Sequence, residues 1–184
     1  MVLDTLCLMQ ESEVKILDIN LEMIENKLTS LGAIKVFDDD ILTLFLDTQN
    51  SRIRKRKDVL RLRKVKNIVE LTYKEVQANQ SVKVAEEYTV QVSDLETMLK
   101  ILQALGLSPT QKMQKHRTSY SVGNVRFDID KYSGEFGFIP EFLEIEGPVD
   151  EIKKYAETLG YQEKDCLPWS TDELISHYAS KNKQ

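Results

Sequence analysis

The clearest signal in the chain is a pair of alternating segments, Val59-Leu-Arg-Leu-Arg-Lys-Val65 and Ile68-Val-Glu-Leu-Thr-Tyr-Lys-Glu75, joined at Lys66-Asn67. Successive side chains of a strand point to opposite faces of its sheet. Arg61 and Arg63 therefore share one face, and the leucines between them share the other. The two segments predict an antiparallel pair of strands that is apolar on one side and basic on the other.

The same alternation recurs along most of the chain. We predict nine strands, over residues 8–16, 34–37, 41–47, 59–65, 68–75, 83–92, 113–122, 125–131 and 141–146. Turn residues separate several of them, including a break at 38–40 between the second and third. This density of short strands favours an α+β fold rich in antiparallel pairing, and we predict a single domain over residues 1–184.

Three helices alternate with these strands, and each ends in Leu-Gly, at residues 31–32, 105–106 and 159–160. Asn20 is the expected N-cap of the first helix, Ser93-Asp-Leu-Glu96 reads as the capping box of the second, and Pro148 opens the third. A fourth helix is expected over residues 170–180. Glycine after the last apolar residue is a common helix stop because it adopts the left-handed conformation readily.

Charge is distributed unevenly over the 184 residues. The net charge is −5, but residues 51–74 alone carry ten Lys/Arg against two acidic residues, a local charge of +8 that leaves −13 on the rest. The basic segment at residues 52–66 could be a nucleic-acid patch or a localisation signal, and its residues 52–57 could be a solvated hairpin. The acidic remainder would repel a nucleic acid, and the strand spacing of the leucines favours a strand within a sheet.

Other function classes find little support. The chain has no phosphate-binding loop, no dinucleotide fingerprint and no apolar run of membrane-spanning length. Cys7 and Cys166 fit no zinc or redox spacing, and the N-terminus lacks a secretory pattern, so we expect a cytoplasmic protein with neither a membrane nor a nucleic-acid partner. Whether the chain forms a homodimer stays open.

Charged side chains recur in pairs on the polar faces of the predicted strands. Acidic pairs occur at Glu11/Glu13 and Glu144/Glu146, and basic pairs at Arg61/Arg63 and Lys115/Arg117. Neighbouring carboxylates repel unless a cation lies between them, and oxygen ligands without histidine suit Mg²⁺ or Mn²⁺. Paired arginines suit phosphoryl oxygens. A one-sided solvated sheet explains each strand singly, but a metal with a polyphosphate would use both sets together.

The order of these motifs resembles the CYTH superfamily, the triphosphate tunnel metalloenzymes. The resemblance rests on Glu11-Ser-Glu13-Val-Lys15, Leu60-Arg-Leu-Arg63, Leu71-Thr-Tyr-Lys74, Lys115-His-Arg117, Asp130 and Phe142-Leu-Glu144-Ile-Glu146-Gly147. It implies a closed, mostly antiparallel eight-stranded β-barrel with helices packed outside and the charged face inside.

The resemblance also implies roles for individual residues. The expected metal ligands are Glu11, Glu13, Glu87, Asp130, Glu144 and Glu146. The expected triphosphate-binding residues are Lys15, Arg61, Arg63, Lys74, Lys115 and Arg117. Of these, Glu11, Glu13, Lys15, Lys74 and Arg117 are the expected catalytic residues, while Arg126 and Asp128 have weaker support. Family members often carry a glutamate pair where this chain has Glu87 and Thr89, which leaves the number of metals open.

The expected function is that of a metal-dependent triphosphate phosphohydrolase using Mg²⁺ or Mn²⁺. Its partner would be a triphosphate-containing small molecule, either inorganic tripolyphosphate, a nucleoside triphosphate or thiamine triphosphate. Two alternatives stay open: a class IV adenylate cyclase, which makes cyclic AMP and pyrophosphate from ATP, and a non-catalytic triphosphate-binding module.

Overall fold

Eight strands and five α-helices make up the described part of the chain. The structure is a computed structural model that describes residues 10–77 and 83–181, and the side chains of residues 12–75 and 86–181. The strands are β1 Gln10–Ile16, β2 Ile34–Thr48, β3 Val59–Val65, β4 Ile68–Gln77, β5 Lys83–Val92, β6 Leu107–Val122, β7 Val125–Ser133 and β8 Phe142–Glu146. The helices are α1 Leu21–Ser30, α2 Arg52–Lys55, α3 Leu95–Ala104, α4 Val149–Thr158 and α5 Thr171–Lys181, with 3₁₀ turns at Gly134–Phe136 and Glu163–Asp165.

The strands form one antiparallel sheet in the order β1-β5-β4-β3-β2-β6-β7-β8, which closes into a barrel because β1 also pairs with β8. β1 is short and divides its pairing. Gln10 to Glu13 pair with β5, whereas Glu13 to Ile16 pair with β8. The seam of the barrel is therefore held over four residue pairs on each side, with Glu13 common to both.

The outer face of the sheet carries three of the four predicted helices, and the expectation that all of them pack outside was wrong for the last. α1 and α4 pack Ile24, Leu28 and Ile152 against apolar residues of β1, β7 and β8, and α3 packs Leu102 against β2 and β3. α5 lies elsewhere: its Leu174 and Tyr178 contact residues of β6, β7 and β8 that face the barrel interior. None of the helices in the described residues combines the length and apolarity that crossing a membrane requires.

The predicted helix ends are largely confirmed. Asn20 caps α1 by accepting a hydrogen bond from the Met23 amide, and α4 begins directly after Pro148. Gly32, Gly106 and Gly160 follow the three helices with φ values of 74°, 84° and 91°, the left-handed region that glycine favours.

The capping box at Ser93 was wrong, because the helix starts one residue later. Asp94 is the N-cap of α3, and its carboxylate accepts the Thr97 amide at 2.6 Å. A carboxylate at this position also interacts favourably with the helix dipole.

Two strands predicted over residues 34–37 and 41–47 are a single strand, β2, so the count is eight and not nine. Asp38, Asp39 and Asp40 continue the pairing with β6 instead of turning. Their charges are neutralised in place: His116 contacts Asp38 and Asp40 at 2.8 and 2.9 Å, and Lys66 pairs with Asp39. Three consecutive aspartates therefore stay in an extended strand, and β6 begins six residues earlier than predicted.

Residues 52–57 are not a hairpin. They contain the one-turn helix α2, which connects β2 to β3.

Candidate active site

A large cavity in the described structure lies inside the barrel, where strand alternation places the charged faces. Its volume is about 840 Å³, and it contains residues of β1, β3, β4, β5, β6 and β8 in its lining. Ten of the twelve predicted site residues line it: Glu13, Lys15, Arg61, Arg63, Lys74, Glu87, Lys115, Arg117, Glu144 and Glu146. The structure thus brings together residues that are up to 133 positions apart in the sequence.

The two remaining predicted residues are Glu11 and Asp130. The side chain of Glu11 lies outside the described residues, so its expected role as a ligand stays a prediction. Asp130 is completely buried and does not line the cavity. It accepts hydrogen bonds from Arg117 at 2.6 Å and from Lys115 at 2.5 Å, so it stands behind these two cations and orients them.

The acidic wall of the cavity is formed where β1 meets β8. Glu13 is directly opposite Glu146, and Lys15 is directly opposite Glu144. Lys15 is buried, with its Nζ 2.7 Å from Glu144 Oε1 and 3.6 Å from Glu13 Oε1. Burial alone would lower the pKa of Lys15, but the charges of Glu13 and Glu144 outweigh it and raise that pKa. Lys15 is therefore a fixed cation in an acidic setting.

Arg117 joins three carboxylates and is the centre of the charged network. It donates to Asp130 through Nε and Nη2, to Glu144 through Nη2 at 2.5 Å, and to Asp128 through Nη1. Burial opposes the charge of Glu144, yet Lys15 and Arg117 hold its pKa well below the usual range. The guanidinium is thus locked in place before any ligand arrives.

Arg63 and Lys115 are the cavity cations whose charged form is disfavoured by burial and by neighbouring positive charges. Burial lowers the pKa of Arg63 to about 10, helped by the positive charges of Arg61 and Arg117. Among the described residues Arg63 has no ion pair, and the buried Nε groups of Arg61 and Arg63 have no hydrogen-bond partner. Burial and Arg117 likewise lower the pKa of Lys115 to about 8, against the opposing charge of Asp130. Such an excess of positive potential favours an anionic ligand.

Glu87, on β5, contacts basic residues of the two neighbouring strands β3 and β4 inside the cavity. Its carboxylate is 2.5 Å from Lys74 Nζ and 3.6 Å from Arg61 Nη2. Thr89 donates to Glu87 Oε1 at 2.9 Å and is 3.0 Å from Thr72 Oγ1. Because the carboxylate only accepts, the hydroxyl of Thr72 donates to that of Thr89. The two threonines therefore orient Glu87.

The structure adds residues that the sequence motifs missed or supported weakly. Asp128 is buried with its Oδ1 lacking a hydrogen-bond partner among the described residues, while its Oδ2 accepts from Arg117 and Arg126. Tyr132 lines the cavity next to Lys115, its partner across the β6–β7 ladder. Tyr132 lies on the same strand face as Asp128 and Asp130, and this alternation is the feature of the sequence that could have predicted its place in the cavity. Lys57, from the unassigned basic segment, lines the cavity as well.

The donor set fits a hard divalent cation that is shared with a ligand. Within the described residues no three Asp, Glu, His or Cys side chains converge as a preformed metal cage. However, Glu13 and Glu146 occupy directly opposed positions on one face, with Arg126 donating to Glu146 and Lys15 Nζ 3.6 Å from Glu13 Oε1, and carboxylate oxygens are the ligands that a hard divalent cation prefers. Mg²⁺ is commonly held by one or two carboxylates together with substrate phosphates and water. These two glutamates are the residues that would hold it.

Comparisons with known proteins agree with this architecture. No curated protein matches the chain. Among solved structures, PH1012 from Pyrococcus horikoshii OT3 is 26% identical, with a TM-score of 0.75 over 90% of this chain and 99% of that one. A candidate adenylate cyclase from Vibrio parahaemolyticus is 18% identical, with a TM-score of 0.75 over 91% and 98% of the two chains. HpAC1 from Hippeastrum, a candidate adenylyl cyclase described as having a dominant triphosphatase activity, is 14% identical, with a TM-score of 0.66 over 92% and 96%.

The last two similarities concern the fold alone. The family model of the CYTH domain matches residues 9–168, which include every predicted site residue. The chain therefore belongs to the CYTH family.

Proposed function

We propose that the protein is a divalent-metal-dependent triphosphate phosphohydrolase. The observation that carries the proposal is Arg63, a cation inside the cavity that has no ion pair among the described residues and whose pKa is lowered by burial. A partly buried charge with no ion pair is costly for the folded protein, and a polyanion would remove that cost. Eight further lysines and arginines line the cavity, enough to contact several phosphoryl groups at once.

The basic residues would divide the work of binding between two walls. Arg61, Arg63 and Lys74 come from β3 and β4 on one side, and Lys115 and Arg117 come from β6 on the other. Guanidinium groups donate in a fixed fork that matches phosphoryl oxygens, and an ammonium group supplies a compact charge. Because Asp130 and Glu144 already fix Arg117, that side chain is preorganised to stabilise the negative charge of the transition state.

The acidic wall would supply the metal site. When bound there, Mg²⁺ or Mn²⁺ neutralises phosphoryl oxygens and activates the attacking water. Glu13 and Glu146 would hold the ion, and Lys15 would keep the neighbouring Glu144 ionised. Attack by water on a phosphorus of the triphosphate then gives a shorter phosphate chain and orthophosphate.

A second candidate function, adenylate cyclase, is favoured by the apolar and aromatic side chains in the cavity lining. Phe45, Met113 and Tyr132 are among them and could hold the base and ribose of a nucleotide. A triphosphate of roughly 13 non-hydrogen atoms fills at most about 400 Å³ even if each atom takes the volume share of a water molecule. The cavity is about twice that size.

The test is a product analysis of the purified protein with tripolyphosphate, ATP and thiamine triphosphate, each with Mg²⁺ and with Mn²⁺. We expect orthophosphate release, lost in Glu146→Gln but kept in Glu141→Gln, a glutamate outside the cavity lining. Cyclic AMP with pyrophosphate from ATP would replace the hydrolase by the cyclase. Tight binding of all three compounds without turnover would leave only a binding module.

A further inference from the structure

The basic segment at residues 51–58, which contains α2, is positioned at the cavity by two buried carboxylates. Asp47 accepts the backbone amides of Ile53 and Arg54 at 2.9 and 3.0 Å, and also that of Thr48. At the other end, Asp58 is 6% exposed and accepts from the Tyr73 hydroxyl at 2.6 Å. We call residues 51–58 the α2 loop; it is fixed at both ends.

The backbone of the α2 loop holds strained residues where it bends. Ser51 and Lys57 both have positive φ, at 52° and 65°, although neither is a glycine. A non-glycine residue in this region costs about 1 kcal/mol or more and persists only where the surroundings enforce it. The bend at Lys57 places its side chain in the lining of the cavity while leaving it exposed to solvent.

The five cations of the α2 loop fall into two groups. Arg54 pairs with Asp172 of α5 at 3.0 Å, and Arg56 pairs with Asp58 at 2.9 Å. Arg52, Lys55 and Lys57 have no ion pair among the described residues. The first group secures the loop, and the second is available to an incoming ligand.

The charge distribution of the whole chain bears on how an anionic ligand would approach the cavity. Outside residues 51–74 the protein carries −13, so the field at a distance repels a polyanion. A ligand with several negative charges needs a locally positive approach to reach the cations inside the barrel. The α2 loop is the part of the basic segment that is both solvent-exposed and in contact with the cavity.

We propose that the α2 loop is an electrostatic capture rim, in which Arg52, Lys55 and Lys57 accelerate the entry of polyphosphate-bearing substrates without taking part in the chemistry. This inference rests on the proposed function for the identity of the substrate. It concerns association, so the loop contributes to kcat/KM and its dependence on salt, and not to kcat. Exposed charges act over about a Debye length, roughly 10 Å at 0.1 M salt.

The experiment compares two triple variants that remove the same charge. The rim variant is Arg52→Gln, Lys55→Gln, Lys57→Asn, which leaves the Arg54–Asp172 and Arg56–Asp58 pairs intact; asparagine tolerates the positive φ at residue 57. The control is Lys100→Gln, Lys154→Gln, Lys164→Gln, three exposed lysines outside the cavity lining. Both variants are assayed with tripolyphosphate at KCl concentrations from about 0.02 to 0.5 M, over which the Debye length falls from roughly 20 to 4 Å.

At low salt we expect kcat/KM of the rim variant to fall about tenfold below that of the wild type. The difference should shrink to less than about twofold at high salt, with kcat unchanged throughout. The control should change by less than about twofold, as expected for charges that lie away from the cavity. Equal losses in both triple variants, a loss that is independent of salt, or a reduced kcat would overturn the proposal.

A second readout separates this inference from the proposed function. Trp169 is the single tryptophan of the chain and lies between Pro168 and Ser170, which both line the cavity. Its fluorescence can follow the association of tripolyphosphate in a stopped-flow experiment without turnover. A slower, salt-dependent association in the rim variant supports the capture rim even if no substrate is hydrolysed. An active rim variant whose association rate is unchanged refutes the capture rim but leaves the proposed function standing.

Discussion

Replacing Arg63 by methionine should make the free protein more stable and its ligand complex weaker. The side chain of Arg63 is half-buried in the cavity, has no ion pair among the described residues and has a pKa of about 10. Each pH unit by which a pKa is lowered corresponds to about 1.4 kcal/mol. The charge therefore costs the folded protein on the order of 3 kcal/mol at neutral pH, less whatever solvent reaching into the cavity recovers.

Methionine keeps most of the volume and the flexibility of the side chain while removing its charge. We expect Arg63→Met to raise the free energy of unfolding by roughly 1–3 kcal/mol, measured by urea denaturation without ligand. Loss of hydrogen bonds to a charged group, about 1.5–3 kcal/mol, should weaken tripolyphosphate binding by roughly tenfold to a hundredfold in calorimetry.

The matched control is Lys64→Met, which removes a charge from the next residue of β3, an exposed one on the opposite face. It should leave both quantities within about 0.5 kcal/mol of the wild type. A destabilised Arg63→Met protein would mean that this arginine is satisfied in the free state. An unchanged affinity for tripolyphosphate would mean that it does not face the ligand, and either result would refute the reasoning.

Three further predictions follow from the contacts of the charged residues. Arg117→Met should lower the free energy of unfolding by about 3–5 kcal/mol in urea denaturation, because it leaves buried carboxylates without their partner; a change below 1 kcal/mol would show that the network relaxes. Glu13→Gln should lower turnover by orders of magnitude while metal-free tripolyphosphate binding, measured by calorimetry, stays within a few-fold; equal losses of both would assign Glu13 to the ligand and not to a metal. Asp40 and Asp38 raise the pKa of His116, so its protonated form stabilises the folded state at low pH. The destabilisation caused by His116→Gln should therefore be largest near pH 6 and decline as the pH rises through the raised pKa. A difference in thermal unfolding that does not depend on pH would contradict this.

The interior of the site was predictable from the sequence because strand alternation needs only local information. Once Glu13 and Lys15 share a face with each other, as do Arg61 and Arg63, any sheet that buries the leucines of the other face collects these charges on one side. The resemblance to a known family was needed to expect closure. The closure itself depends on β1 pairing with two strands that are far from it in the sequence, and alternation carries no information on such pairing.

The sequence does not reveal which acidic side chain pairs with which basic one. Asp128 and Asp130 occupy equivalent positions of one strand, and nothing in their spacing distinguishes them. In the structure Asp130 is fully bonded by Lys115 and Arg117, whereas Asp128 keeps one oxygen without a hydrogen-bond partner among the described residues. The run Asp38 to Asp40, for which the sequence predicts a turn, forms part of a strand for the same reason: its neutralising partners, His116 and Lys66, lie elsewhere in the sequence.

The division of the cations into two classes has a thermodynamic consequence. Lys15 and Arg117 are bound by carboxylates in the free protein, so their geometry does not depend on a ligand. Arg63 has no ion pair among the described residues and its charge destabilises the free protein, whereas the three cations of the proposed capture rim are exposed to solvent. Relief of the cost at Arg63 would appear as a tighter Kd, and a bound triphosphate would stabilise the fold by about 2.7 kcal/mol at a hundredfold excess over that Kd. Under the proposed function, preorganised and unsatisfied cations in one cavity together account for how an acidic barrel would select a polyanion: the first class would fix where the phosphates lie, and the second would make their binding favourable.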